Sequence, residues 1–255
     1  MWVFCGGMFR SGSTVQYQIT SHLVEHGGQG RRVPRFAPDE FDEARRAYAN
    51  AGGLLIFKSH GVSAPIRDEL ESRGGHVITV HRDIRDVVAS AIRKNDWTFR
   101  HIWKHGLLDR WTSRFEEWAG LPGALVSRYD TMIGALDAEA GRIGRHLGLE
   151  VPPRLAAEIG AEYSFDRQRR RVSDVQARKA RRELAAKYDD HSQLHYNHIA
   201  SGEVGVFRDV LKPAEIRDIE DACGSWMSRW GYVPEAGPLG VVGRLHRAWL
   251  GRAAA

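Results

Sequence analysis

Four short apolar runs set the limits on what this chain can fold into: "WVFC" at 2–5, "LLIFKSH" at 54–60, "HVITVHRD" at 76–83 and "GALVSRYD" at 123–130. Their apolar residues are near-continuous rather than alternating, the pattern of strands covered on both faces. Helical patterns lie between them. Val15, Ile19 and Leu23 recur every four residues and stop at Gly27-Gly28, a C-terminal stop signal. Asp86, Val87, Val88, Ala89 and Ile92 continue as a helix after the third run. Strands alternating with helices predict an α/β fold, a single domain with a central, mainly parallel sheet flanked by helices. In a chain of 255 residues that domain is placed at 1–235, with 236–255 as a C-terminal tail.

Three further segments have a pattern of their own. Trp103, Leu107, Trp111, Phe115 and Trp118 recur every three or four residues and predict one helix face, with core packing as its default use. Residues 165–190 are polar and basic and read as helix. Pro213 marks a helix start, followed by an apolar stripe of Ile216, Ile219, Cys223, Trp226 and Trp230.

Composition narrows the function classes. Hydrophobic residues at 42% and charged residues at 27% are ordinary for a globular protein. No run of 18 apolar residues occurs, so no membrane span is expected. The start "MWVFCGG" has no basic leader, and a cytoplasmic location is expected. Cys5 and Cys223 lack ligand or redox spacing and read as two buried free thiols. The net charge of +5 suits an anionic ligand. Arg167, Arg169, Arg170, Arg171, Arg178, Lys179, Arg181, Arg182 and Lys187 crowd one segment, either as a solvated helix face or as an anion-facing surface.

After the first run the sequence reads G-M-F-R-S-G-S-T from Gly7 to Thr14. This is the frame of a phosphate loop, G-x-x-x-x-G-K-[ST], with Ser13 where the lysine belongs and Arg10 inside the loop. A glycine loop between a strand and a helix turns backbone N–H groups inward, and the helix adds a partial positive charge. In loops that hydrolyse nucleoside triphosphates the lysine reaches the β and γ phosphates. Ser13 cannot do so. Arg10, with Gly12 and the hydroxyls of Ser11, Ser13 and Thr14, suits an oxyanion that needs no metal.

The other runs end in chemistry-bearing residues. "FKSHG" puts Lys58 and His60 on one side of an extended strand. "VHRDIRDVVAS" puts Arg82 at a strand end and Ser90 about two helical turns on, a candidate pair for a second phosphate. The bland alternatives are an ion pair of Arg82 with Asp83 or Asp86 and a backbone hydrogen bond of Ser90. Tyr129 follows the fourth run. Ligands bind outside the carboxyl ends of strands in open α/β sheets, so these residues converge on one edge.

Together these motifs resemble those of the cytosolic-type sulfotransferases, which use 3′-phosphoadenosine 5′-phosphosulfate (PAPS) as sulfuryl donor. "MFRSGST" is similar to the family's 5′-phosphosulfate loop and "HRDIRDVVAS" to its 3′-phosphate motif of Arg82 and Ser90. "FKSHG" resembles its Lys-[ST]-His, which implies His60 as catalytic base. "SRYDTM" resembles the segment whose tyrosine, here Tyr129, contacts adenine. "SGEVGVFRDVLKPAEIRDIE" resembles the C-terminal glycine motif containing Gly202. The resemblance covers about residues 2–233. It departs at Val15, where animal members stack a Trp on adenine, and at Ala200-Ser201, where they carry Arg-Lys. His198, Arg208 and the basic segment are candidates to compensate.

The resemblance implies sulfuryl transfer from PAPS to a hydroxyl or amine, without a required metal. The acceptor is a small molecule, glycan or lipid, and no nucleic-acid partner is implied. Two other readings stand beside it. One is a phosphate-loop kinase or NTPase, for which Asp83 and Asp130 are the candidate magnesium ligands. The other is a non-catalytic polyanion binder resting on the basic segment. The tail "GRLHRAWLGRAAA" reads as a loosely docked end ahead of a membrane-touching helix.

Overall fold

A computed structural model describes residues 1–34, 36–180, 188–189, 191–195 and 202–235, with the side chains of residues 188 and 195 left aside. The tail at 236–255 lies outside the described residues, as do Arg181, Arg182, Lys187, His198, Ala200 and Ser201. The described residues form two compact units. One combines Met1–Arg82 with Ser113–Gly202; the other combines Asp83–Thr112 with the described residues from Glu203 onward.

The first unit is built on a five-stranded sheet in which every pairing is parallel. Its strands are β1 (Trp2–Cys5), β2 (Gly30–Arg32), β3 (Leu54–Lys58), β4 (His76–His81) and β5 (Leu125–Arg128), in the spatial order β2-β3-β1-β4-β5. All four apolar runs are strands, three of them shorter than the runs themselves. Strand β2 was not legible: "GRR" has no apolar residue, and it is an edge strand, where charged side chains cost little.

The sheet is buried on both faces, as continuous apolar runs require. Val3, Cys5, Ile56 and Ile78 pack on one side against Tyr17, Ile19, Leu23 and Val24 of α1 (Ser13–His26). Helices α8 (Leu136–Leu147) and α9 (Pro153–Glu162) complete that layer with Ile143, Leu147 and Ile159. Trp2, Phe4, Leu55, Phe57 and Val77 point the other way. They meet Phe41 of α2 (Phe41–Ala47), Ile66 of α3 (Ala64–Arg73) and Trp118 of α6 (Leu107–Ala119). Both cysteines are free and buried, and burial drives the Cys5 thiol up to about 12.

The chain goes from β1 outward to β2 on one side and from β4 to β5 on the other. The gap between the adjacent strands β1 and β4 is therefore the switch point of the sheet, where ligands of such folds bind. The glycine loop leaves β1 there and stays joined to β4 through Gly6 N–H to Ile78 O (2.8 Å) and Met8 N–H to Val80 O (2.9 Å).

The second unit contains α4 (Ile84–Asn95), α5 (Phe99–Lys104), α11 (Phe207–Val210) and α12 (Pro213–Arg229). The predicted aromatic stripe needs a correction. The chain breaks at Gly106, which has φ 58°, so Trp103 sits on the separate short helix α5 and is 41% exposed. Leu107, Trp111, Phe115 and Trp118 keep the stripe on α6 and are buried. On α12 the stripe runs through Ile216, Ile219 and Cys223 to Met227, while Trp226 stacks on Tyr232 at 5.8 Å. No helix of the described residues is long and apolar enough to cross a membrane.

Candidate functional site

Loop residues 6–12 join β1 to a helix that has no acidic residue in its first turn and no side-chain cap. Its N-cap is Gly12, at φ 87°. A Cβ there would stand 2.8 Å from Cδ2 of Tyr129, so both the backbone and the ring demand glycine. An uncapped helix start with a glycine at its mouth is a place for an anion.

The loop's side chains divide by role. The Ser11 hydroxyl is fully buried and donates within the protein, toward Met8 O (2.6 Å) and Val80 O (2.9 Å). This geometry supports a role in fixing loop shape. Ser13 and Thr14 open α1 and are nearly buried. The Thr14 hydroxyl accepts a hydrogen bond from Lys58 Nζ at 2.8 Å. Arg10 takes a left-handed backbone, φ 58°, unusual outside glycine. Burial, and then the charge of nearby Arg82, bring the Arg10 guanidinium down to about 10. The guanidinium groups of Arg10 and Arg82 are therefore close enough to repel.

Arg82 follows β4 and is nearly buried. Its guanidinium lies 4.2 Å from the centre of the Tyr129 ring. Tyr129 begins α7 (Tyr129–Gly134) and donates its phenol hydrogen to Gly202 O at 2.9 Å. One ring thus touches three sequence-predicted positions: Gly12, Arg82 and Gly202. Gly202 has φ 71°, and a Cβ there would meet the Phe165 ring at 2.4 Å. Ser90 is buried on α4, in the second unit. In that unit both carboxylate oxygens of Asp86 accept backbone hydrogens, from Gly205 N (2.9 Å) and Phe207 N (3.1 Å), and fix the glycine segment after residue 202.

Lys58 and His60 line one cavity of ≈ 580 Å³ in the first unit, within the range of small-molecule sites. Its other described walls are Phe36, Ala37, Pro38 and Glu40, then Ser59 and Gly61, then Arg114 and Gln193. The His60 ring is exposed and its Nδ1 stands 3.4 Å from Gly7 O, a long contact. A carbonyl can only accept, so this contact favours the tautomer with hydrogen on Nδ1 and leaves Nε2 as the basic nitrogen. Sequence reasoning missed Arg114 and Gln193. Neither stands in a motif; only the fold brings residues 36–40, 114 and 193 to the strand that carries His60. The aromatic and histidine side chains of 96–118 are not among the described walls.

The aspartates that a magnesium-dependent site would use are engaged elsewhere. Asp83 caps α4 and holds Arg85 through both oxygens, at 3.0 Å and 2.6 Å. Asp130 holds Arg128 Nε at 2.7 Å. The basic segment is α10 (Phe165–Ala180) as far as it is described. Arg167 and Arg171 share Glu162, and Arg178 pairs with Asp189 at 3.1 Å, so three of the segment's six described cations are paired.

No protein-family model matches the chain, and no curated protein matches its sequence. Solved structures do match. Retinol dehydratase in complex with androsterone and the inactive cofactor PAP superposes with a TM-score of 0.63 at 15% identity, over 94% of this chain and 82% of that one. The same protein with retinol and PAP gives 0.61 at 15% identity, with the same coverage. Mouse sulfotransferase SULT7A1 complexed with PAP gives 0.61 at 14% identity, over 97% of this chain and 88% of that one.

Proposed function

Starting from a chain that has the sulfotransferase fold, we propose that it transfers a sulfuryl group from PAPS to a hydroxyl or amine acceptor. The observation that carries this is the junction of loop and cavity. Lys58 reaches the loop at Thr14, and two residues on His60 faces the cavity from beside Gly7. A donor-binding loop and a basic nitrogen are thereby coupled through one strand end.

The residues fit the donor's charge. The loop N–H groups, Arg10 and Lys58 are suited to its 5′-phosphosulfate; for its 3′-phosphate the sequence motif offers Arg82 and, in the other unit, Ser90. Gly12 gives the loop its close approach, while Tyr129 and Gly202 border the nucleotide. When bound, the donor supplies the sulfuryl group and leaves as adenosine 3′,5′-bisphosphate (PAP).

The chain's own residues then do the following. His60 takes the acceptor proton at Nε2 as the acceptor's bond to sulfur forms and the sulfur–oxygen bond to the 5′-phosphate breaks. Arg10 and Lys58 stabilise the negative charge that grows on the departing phosphate oxygen. The acceptor is a small molecule, as fits the androsterone and retinol bound by structural relatives.

His60→Ala tests the assignment. General-base action contributes about a hundredfold to ten-thousandfold, so turnover of labelled PAPS falls by at least that lower figure while PAP affinity is kept. Near-full turnover in this variant removes His60 from the chemistry.

A further inference from the structure

The cavity wall opposite in chain position to the donor loop has its own chemistry. Gln193 is 5% exposed and lines the cavity from a left-handed backbone, φ 52°, a conformation that costs free energy for a residue with a side chain. Its turn is clamped from three directions. Arg32 donates to His191 O (2.6 Å), Gln18 donates to Ser192 O (3.0 Å), and Asp189 accepts from both the N–H and the hydroxyl of Ser192 (2.9 and 2.8 Å). Three side chains thus hold, through four hydrogen bonds, a strained turn that brings Gln193 to the cavity wall.

Arg114 supplies a cation to the same cavity, and among the described residues it makes no ion pair. The acid in the wall is held in place: the Glu40 carboxylate accepts from Ala37 N at 2.6 Å and closes the turn at 37–40. That turn is tied down again by the Ser63 hydroxyl on Pro38 O (2.5 Å). Its apolar residues, Phe36 and Pro38, complete a pocket that Gln193, Arg114 and His60 also line.

Resting on the sulfotransferase reading, we propose that Arg114 and Gln193 select the acceptor, and that the acceptor is a hydroxyl compound carrying an oxyanion of its own. The hydroxyl meets His60, the apolar body lies on Phe36 and Pro38, and the oxyanion meets the guanidinium and amide. An Arg with an amide donor recognises carboxylate and sulfate alike, so both are tested.

Matched pairs separate the possibilities: 4-hydroxybenzoate against its methyl ester, phenyl glucuronide against its methyl ester, and hydroquinone monosulfate against hydroquinone. The readout is kcat/KM with labelled PAPS. The charged member of at least one pair is preferred by about tenfold or more, the scale of a hydrogen bond to a charged group. Preference in the first two pairs identifies a carboxylate, and in the third a sulfate. Arg114→Gln reduces that ratio about tenfold through KM, and Arg114→Lys restores part of it. Gln193→Gly, which suits the left-handed backbone, raises KM for the charged member. PAP titration of each variant controls for folding. Equal use of charged and neutral members, transfer only to neutral ones, transfer to none, or a ratio that survives Arg114→Gln overturns the inference. Transfer to neutral acceptors with no charge preference leaves the sulfotransferase reading standing; failure of the wild type to bind PAP removes that reading as well.

Discussion

Arg10 and Arg85 are two buried guanidinium groups with opposite surroundings. Arg85, in the second unit, is held by Asp83 and by Glu220 at 2.5 Å, with Phe207 stacked at 4.3 Å. Burial alone lowers its pKa, but the two carboxylates outweigh burial and the net shift is upward. Arg10, in the first unit, is lowered to about 10 by burial and then by the charge of Arg82. One arginine has its anions built into the fold. The other has a second guanidinium as a neighbour, and on the proposed reading it meets the donor's anion. On the proposed reading, buried charge serves stability in the one region and ligand binding in the other.

The comparison can be broken by substitution. The largest effect is expected in the second unit. Glu220→Ala leaves a buried guanidinium short of a carboxylate, and it also loses the bond from Glu235 N (2.9 Å). Unfolding free energy in urea falls by about 3 kcal/mol. A loss under about 1 kcal/mol means that Asp83 alone suffices. Tyr129→Phe removes one neutral hydrogen bond, to Gly202 O, and costs about 1 kcal/mol. PAP affinity drops with it if that bond holds the segment at the nucleotide. The smallest stability effect belongs to Arg10→Gln, which keeps side-chain bulk and removes a charge repelled by Arg82. Stability stays level or rises, although binding is damaged. A clear destabilisation by Arg10→Gln places Arg10 with Arg85 as a structural charge and ends the contrast.

Much of this organisation was legible in the sequence, and the physical reasons are particular. Strands β1, β3, β4 and β5 announce themselves because both faces are buried. The loop announces itself because Gly12 has no substitute beside Tyr129. Lys58 and His60 reach one cavity because the chain leaves β3 at Lys58 and the whole turn 58–61 lines it. What stayed hidden depends on distant partners. Trp103 leaves the aromatic stripe because Gly106 turns the chain, which a three-or-four spacing cannot reveal. The bond from Tyr129 to Gly202 spans 73 residues, and the clamp on the Gln193 turn reaches back to Gln18 and Arg32. The polar role of Asp86 was equally hidden, since its partners are backbone groups at 205 and 207.

The central claim is that the loop cations of the first unit await a nucleotide anion with no metal between. Calorimetric titration of PAP into the wild type and into Arg10→Gln, both in EDTA, tests it most directly. The account predicts metal-free binding by the wild type and a loss of about 10- to 100-fold in Arg10→Gln, the worth of one charged hydrogen-bond partner. Absence of PAP binding, or equal affinity in the two proteins, contradicts it.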